Sequence, residues 1–414
     1  MTCSCFQALI LALGLVASLQ LLYLALLSGW HGQEQRSRYA QLFQARHALP
    51  SHGHKQRLKP VLASGGTLDA SGQYRIYRDM MRASWDGQDV VLVTHTSLGN
   101  LHHVQQLVER WQGPVSVALF APGSDDVSQA TAMVYALAVL CAPLRQWLRL
   151  HLVCPANEMA SFPEQEQEEG EFARLQSCGD VFAKLAQLGA GRRNYVMGVT
   201  NTSYPNNLLR NVAREAASSH WVLVVDVDMV PSKGLRKDFL ALPKAAEEGT
   251  PWVFVVPAFE IRHTRRIPAT KAELVQLYQV GEIRPFYEEL CPRCQAPTNF
   301  SHWLNLPTRG TLHVAYEVVW RDPWEPFYVG AASVPPYDER FKQYGFNRIS
   351  QACELHIAGY RFAILSNAFL VHKGFKVASE FHAQKDAENQ RNKILFRQFK
   401  QELKSKYPDS PRRC

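Results

Sequence analysis

The chain lacks a basic stripe interleaved with aromatics and any recognisable nucleic-acid module, so its formal charge of +8 reads as a solvated basic surface. Its remaining meaning is a mild preference for acidic substrates. No Gly-rich phosphate loop follows the apolar run 90–93, which argues against a sugar nucleotidyltransferase. Internal repeats are absent, and the one biased tract, the acidic run 164–171, reads as a surface loop. Cys291-Pro-Arg-Cys294 has no second Cys-x-x-Cys and no neighbouring βαβ redox pattern, so a structural disulfide or buried pair is favoured over a metal or redox site. Long apolar runs are missing except for one, and no Lys or Arg precedes that run.

What is present begins there. Residues 6–30 carry no charged side chain and are rich in Leu and Ala. As a helix they reach across the roughly 30 Å hydrocarbon core with some tilt. A cleaved signal peptide, the rival reading, has a basic start and a shorter apolar run ending in small residues. The expected layout is a short tail 1–5, a transmembrane anchor 6–30, a polar stem 31–62 and one catalytic domain 63–414. Orientation signals conflict. Arg36 and Arg38 follow the span, which favours a cytoplasmic C-terminal part. The sequons at Asn201 and Asn299 are glycosylated only in the lumen. Seven of the nine cysteines lie beyond the span, an odd number that leaves at least one without an intramolecular partner. Cys3 and Cys5 are palmitoylation candidates or plain thiols.

With 46% hydrophobic and 20% charged residues the body can bury a sizeable core. The apolar runs 90–93 and 222–225 and the mostly apolar stretches 115–120 and 148–153 read as strands, the first of them buried. Helical patterns separate them at 101–111, 131–141, 171–188 and 205–217. This alternation predicts an α/β fold with a mostly parallel central sheet covered on both faces.

Asp226-Val227-Asp228 follows the last of those strands. Open α/β sheets bind ligands at the carboxyl ends of their strands. Alternation along an extended segment points both carboxylates to one side, making a hard-oxygen site for Mn²⁺ or Mg²⁺ that also receives a diphosphate. Two exposed turn aspartates capping the next helix are the alternative.

Around this triplet the segments 204–214 and 222–231, then Trp324-Glu-Pro-Phe-Tyr328, Tyr337-Asp-Glu-Arg-Phe341, Tyr344-Gly-Phe-Asn-Arg348 and Phe369-Leu-Val-His-Lys-Gly-Phe375, resemble the A-type nucleotide-sugar glycosyltransferases. Within them the chain is similar to the LARGE-related glucuronyltransferases over residues 85–405. The resemblance implies the nucleotide-diphospho-sugar transferase (GT-A) fold on a single-pass type II Golgi membrane protein with a luminal catalytic domain. It implies metal ligation by Asp226, Asp228 and His372, diphosphate contact by Lys373, and donor binding by Asn207 and Arg210. The implied reaction is metal-dependent, inverting transfer of glucuronic acid from UDP-glucuronate to xylose on the O-mannosyl glycan of α-dystroglycan, which primes extension by LARGE, a possible partner in a complex.

Inversion needs a base opposite the leaving group. Inverting relatives carry a Glu-Asp pair after a Phe-Asp motif, where this chain reads Tyr344-Gly345-Phe346-Asn347-Arg348. Asp338, Glu339 and Glu354 are the neighbouring carboxylates, with Asp338 the first choice. Arg348 suits the sugar carboxylate, because a planar fork meets two oxygens, or it pairs within its loop. The aromatic run 320–328, with Trp324 at its centre, is expected to form an acceptor platform or to be core. Two further readings are an N-acetylglucosaminyltransferase on poly-N-acetyllactosamine and a non-catalytic glycan-binding partner of another transferase.

Overall fold

The computed structural model describes residues 19–20, 58–161, 175–189, 203–242, 251–308, 310–378 and 383–414. The expected anchor 6–30 lies, apart from Leu19 and Gln20, outside the described residues, as does the sequon residue Asn201. Among the described residues no helix is long and apolar enough to cross a membrane. The chain divides into two compact units, 1–48 and 49–414, and every described strand belongs to the second.

Ten strands form the large sheet. In spatial order they are Thr67–Leu68, Tyr74–Met81, Leu148–Pro155, Val115–Phe120, Val90–Ser97, Trp221–Val224, Tyr328–Ala331, Trp252–Val255, Arg361–Leu365 and Val314–Val318. The four from Leu148–Pro155 to Trp221–Val224 run parallel. Every residue of Val115–Phe120 is buried, as expected of a strand covered on both faces. Beyond this block the expected pattern fails. Tyr328–Ala331 enters antiparallel between Trp221–Val224 and Trp252–Val255. Five of the nine neighbouring pairs are antiparallel, so the sheet is mixed rather than mostly parallel. Periodicity reports burial and not direction, and the inserted strand arrives a hundred residues after its neighbour.

A second sheet of four strands, Ile283–Pro285, Ala258–Ile261, Leu370–Lys373 and Met229–Pro231, stands next in the chain path after Asp228. Its register sets His372 opposite Met229.

Helix Asn206–Glu215 explains how the site is carried. Leu208, Leu209, Val212 and Ala213 pack onto sheet residues Val91, Val93, Ala118 and Val222. Its other side is polar yet also buried, because residues 334–347 lie across it. Asn207 donates to the Asp338 carbonyl (2.7 Å), Asn211 to that of Tyr337 (2.8 Å) and Arg214 to that of Val334 (3.0 Å). A helix with two buried faces needs these partners, since an unpaired buried polar group costs about 1–3 kcal/mol.

The covering loop is fastened in turn to the long helix Lys385–Lys406. The Asn392 amide donates to the carbonyls of Lys342, Tyr344 and Gly345, each at 2.9 Å. Gly345 adopts φ +90°, and a Cβ there would lie 2.4 Å from Asn389 Oδ1. Only glycine fits that crossing. Three disulfides close the domain, Cys141–Cys178, Cys291–Cys294 and Cys353–Cys414, leaving Cys154 buried and free. The Cys-x-x-Cys pair is thus a disulfide.

Candidate active site

Asp226-Val227-Asp228 joins the two sheets, between Trp221–Val224 and Met229–Pro231. The Met229 amide donates to the Asp226 carbonyl at 2.9 Å, so the triplet is a tight turn and not the extended segment expected. The turn sends the two carboxylates to different partners, correcting the expectation that alternation aligns them.

Asp226 meets two arginines. Arg210 Nη2 donates to Oδ1 at 3.1 Å, and Arg348 Nη1 to Oδ2 at 2.9 Å. Arg210 is fixed by Asn207 Oδ1 (2.8 Å) and Asn347 Oδ1 (2.9 Å). Burial opposes ionisation of Asp226, but Arg348 and then Arg210 outweigh it and hold the carboxyl below its ordinary range.

Asp228 faces the second sheet. His372 Nε2 lies 3.1 Å from its Oδ2, and Lys376 Nζ lies 3.8 Å away. His372 Nδ1 sits 2.7 Å from the Gly374 carbonyl, which has no proton to give, so Nδ1 donates. Nε2 is then a lone pair aimed at a carboxylate, and the gap closes with a proton or a cation. Carboxylate and imidazole held in this way are the donor set of a divalent metal, the carbonyl serving as the outer support that orients the ring. Gly374 permits the turn. Its φ is +103°, and a Cβ would lie 2.4 Å from His263 Nε2. Among the described residues no three His, Cys, Asp and Glu side chains are gathered for a metal, because Asp226 is drawn to its arginines. Asp228 and His372 fit a metal as they stand; Asp226 is next to them in the chain but engaged elsewhere.

A cavity of about 690 Å³ opens beside Asp226, lined by Arg210, Glu325, Arg348 and the helix Lys385–Lys406, among others. Asn206 and Gln343 also line it, and Asn206 Oδ1 and Gln343 Oε1 are buried with no partner within the protein. His95, which is not among the cavity-lining residues, has a buried Nε2 without a hydrogen bond 3.8 Å from Asp226, while its Nδ1 meets the Tyr204 hydroxyl at 2.8 Å. Burial, reinforced by Arg210, pushes His95 down to about 3, so the ring is neutral. Unpaired buried polar atoms round a cavity mark where a ligand's own donors and acceptors belong. Sequence reading passed over His95, Asn206 and Gln343, since nothing in their neighbours announces a cavity.

Other expected residues fall elsewhere. Asp338 is clamped by Arg340, whose Nε reaches both its oxygens at 3.0 Å, and Glu339 accepts from Asn211 at 2.8 Å. Neither is among the cavity-lining residues. Asn207 is wholly buried, holding Arg210 and the loop rather than facing the cavity. Lys373 is exposed, because successive strand residues point to opposite faces and His372 takes the inner one. Lys376 is the lysine near Asp228. Asn299 is exposed, with left-handed backbone at the start of helix Phe300–Asn305, and its Oδ1 accepts from the His302 amide.

The expected acceptor platform is core. Trp324 has no exposed surface, its Nε1 donates to Thr298 Oγ1 at 3.1 Å, and its ring stands 5.3 Å from that of Phe362. No sugar reaches it. Trp324→Ala is therefore expected to cost about 3–5 kcal/mol of stability. Denaturant unfolding of the variant checks this, and a KM rise in a fully stable protein would contradict it.

Known proteins bear on the same residues. A family profile described as glycosyl-transferase for dystroglycan matches residues 89–408. A Danio rerio protein named beta-1,4-glucuronyltransferase 1 is 52% identical over 427 aligned positions, covering 100% of this chain and 99% of that protein. The Homo sapiens protein of the same name is 57% identical over 360 positions, 87% of this chain and 86% of its own length. Xylosyl- and glucuronyltransferase LARGE1 from Mus musculus is 28% identical over 325 positions, 77% of this chain and 35% of that larger protein.

Proposed function

This chain belongs to the family of glycosyl-transferases for dystroglycan, and within it we propose a β-1,4-glucuronyltransferase that uses UDP-glucuronate. The acceptor is a β-linked xylose on the O-mannosyl glycan of α-dystroglycan, and the product primes extension by LARGE. The observation that carries this reading is Arg348. A guanidinium with little exposure lines the cavity between two carboxylates, Asp226 at 2.9 Å and Glu325 at 3.6 Å. Its planar fork suits a sugar that bears a carboxylate, and an N-acetylated sugar has no use for it. The names of the relatives at 52–57% identity support the same donor.

The parallel strands ending near Asp226 support a GT-A architecture, with UDP-glucuronate at their carboxyl ends. Asp228 and His372, joined by Asp226 if it exchanges an arginine, would hold Mn²⁺ or Mg²⁺. The bound ion would supply Lewis-acid stabilisation of the charge on departing UDP. Lys376 stands beside Asp228 to meet the diphosphate, and Arg210 keeps Asp226 ionised and in place. Three disulfides support an oxidising compartment, and exposed Asn299 supports a glycosylated, luminal domain behind an anchor at 6–30 in the Golgi membrane.

The test uses the full-length chain in detergent with a β-xyloside acceptor. Transfer is expected from UDP-glucuronate and not from UDP-N-acetylglucosamine. A chelator should abolish it and added Mn²⁺ restore it. Transfer from the N-acetylated donor alone would sink the assignment of the donor, and indifference to the chelator would sink the metal.

A further inference from the structure

We infer that Glu325 is the catalytic base, the residue that takes the acceptor hydroxyl proton during glucuronyl transfer. The inference rests on the reaction proposed above and names a group in its site that the loop at 344–348 does not supply.

Four carboxylates line the cavity: Asp226, Asp322, Glu325 and Asp386. Asp226 is committed to Arg210 and Arg348. Asp322 is exposed, 3.8 Å from Lys400, and Asp386 sits in the first turn of Lys385–Lys406. Glu325 alone is both inside and anchored. Its amide donates to the Cys294 carbonyl at 3.0 Å, and its carbonyl accepts from Gln295 Nε2 at 3.3 Å. Trp324 before it is locked in the core by its bond to Thr298, and the Cys291–Cys294 disulfide closes the turn that receives its amide. The side chain, 12% exposed, is therefore presented from a rigid backbone.

Its position relative to Arg348 decides the role. Arg348 Nη1 meets Asp226 Oδ2 and Nη2 faces Glu325 Oε1, so one guanidinium separates the two carboxylates. The guanidinium is itself held over the Phe327 ring, 4.2 Å from its centroid. In the proposed pose the glucuronyl carboxylate rests on Arg348, with departing UDP toward Asp226 and the acceptor toward Glu325. Inversion needs the base on that other side. Burial, against the pull of Arg348, raises the carboxyl above its ordinary range, which strengthens it as a proton acceptor.

The step balances without a further reagent. As the acceptor oxygen bonds to the sugar's anomeric carbon, Glu325 Oε takes its proton. The bond from that carbon to the β-phosphate oxygen breaks, and its electron pair leaves on UDP. The glutamic acid then returns its proton to solvent.

Glu325→Gln keeps the shape and removes the basicity. Full-length variant and wild type are compared with a xyloside and with its thiol analogue, whose nucleophile ionises far more readily than a hydroxyl and needs a base less. Transfer to the hydroxyl acceptor is expected to fall about a thousandfold. Transfer to the thiol should fall less than about tenfold, with UDP-glucuronate affinity by calorimetry unchanged. Equal losses on both acceptors, or full activity on the hydroxyl, would overturn the assignment. Lost donor affinity would also overturn it, since Glu325 would then be serving the donor. A wild type that uses neither acceptor with UDP-glucuronate instead refutes the reaction itself, which separates the two failures.

Discussion

Asp228→Asn yields a folded protein whose transfer rate falls by about a thousandfold or more. The substitution preserves volume and removes one charge. In the native protein Asp228 Oδ2 lies 3.1 Å from His372 Nε2 and 3.8 Å from Lys376 Nζ. An amide there no longer attracts a cation, so the ion proposed to stabilise departing UDP loses a ligand. The fold should survive, because the turn is held by the Met229 amide on the Asp226 carbonyl and the sheet register does not depend on the side chain. Burial disfavours the Asp228 charge, but His372, once a proton closes the gap from Nε2 to Oδ2, and then Lys376 outweigh it and place the folded pKa below the unfolded one. Its contribution to stability is therefore present above the ordinary carboxylate range and disappears only as pH falls through the depressed value. At neutral pH that contribution is present in the wild type, so the variant should keep its fold but melt several degrees below it. Transfer assays with thermal melts check both halves, and wild-type activity in this variant would remove Asp228 from the site.

The second large effect is at Arg348. Arg348→Ala leaves Asp226 and Glu325 facing the cavity without the cation between them. The stability loss should be about 1–3 kcal/mol, the cost of stranding a buried partner. The larger consequence concerns the donor. Preference for UDP-glucuronate over UDP-glucose, which lacks only the carboxylate, is expected to narrow from about a thousandfold to about tenfold. Arg348→Lys should recover little of it, since a point charge cannot meet Asp226, Glu325 and a sugar carboxylate as a planar fork does. Steady-state kinetics with the two donors decide the matter. An unchanged ratio would assign Arg348 to the scaffold.

How far the sequence reached can be judged residue by residue. The strand 115–120 was legible to its ends, and the run at 90–93 was legible as the core of Val90–Ser97. Both are buried on two faces and read as apolar runs, interrupted only by Ser116 in the first. Asp226 and Asp228 stood out because two acids end such a run, and His372 through its family motif. The polar face of Asn206–Glu215 was legible as polar but not as buried, because its cover comes from residues 334–347. Trp324 was legible as aromatic, and burial alone separates a platform from a core.

By itself the sequence determined the α/β alternation, the apolar run at 6–30, the acidic triplet after a strand and the kinship with glycosyltransferases, all of which are local patterns or contiguous motifs. Tertiary structure decided the rest. It made the central sheet mixed, by inserting Tyr328–Ala331 beside Trp221–Val224. It set His372 against Asp228 through the register with Met229. It put Lys376 rather than Lys373 beside Asp228 and Glu325 rather than Asp338 in the cavity wall. The physical reason is common to all of these. A carboxylate's chemistry depends on what lies within a few ångströms of it, and here those neighbours come from segments up to 144 positions away.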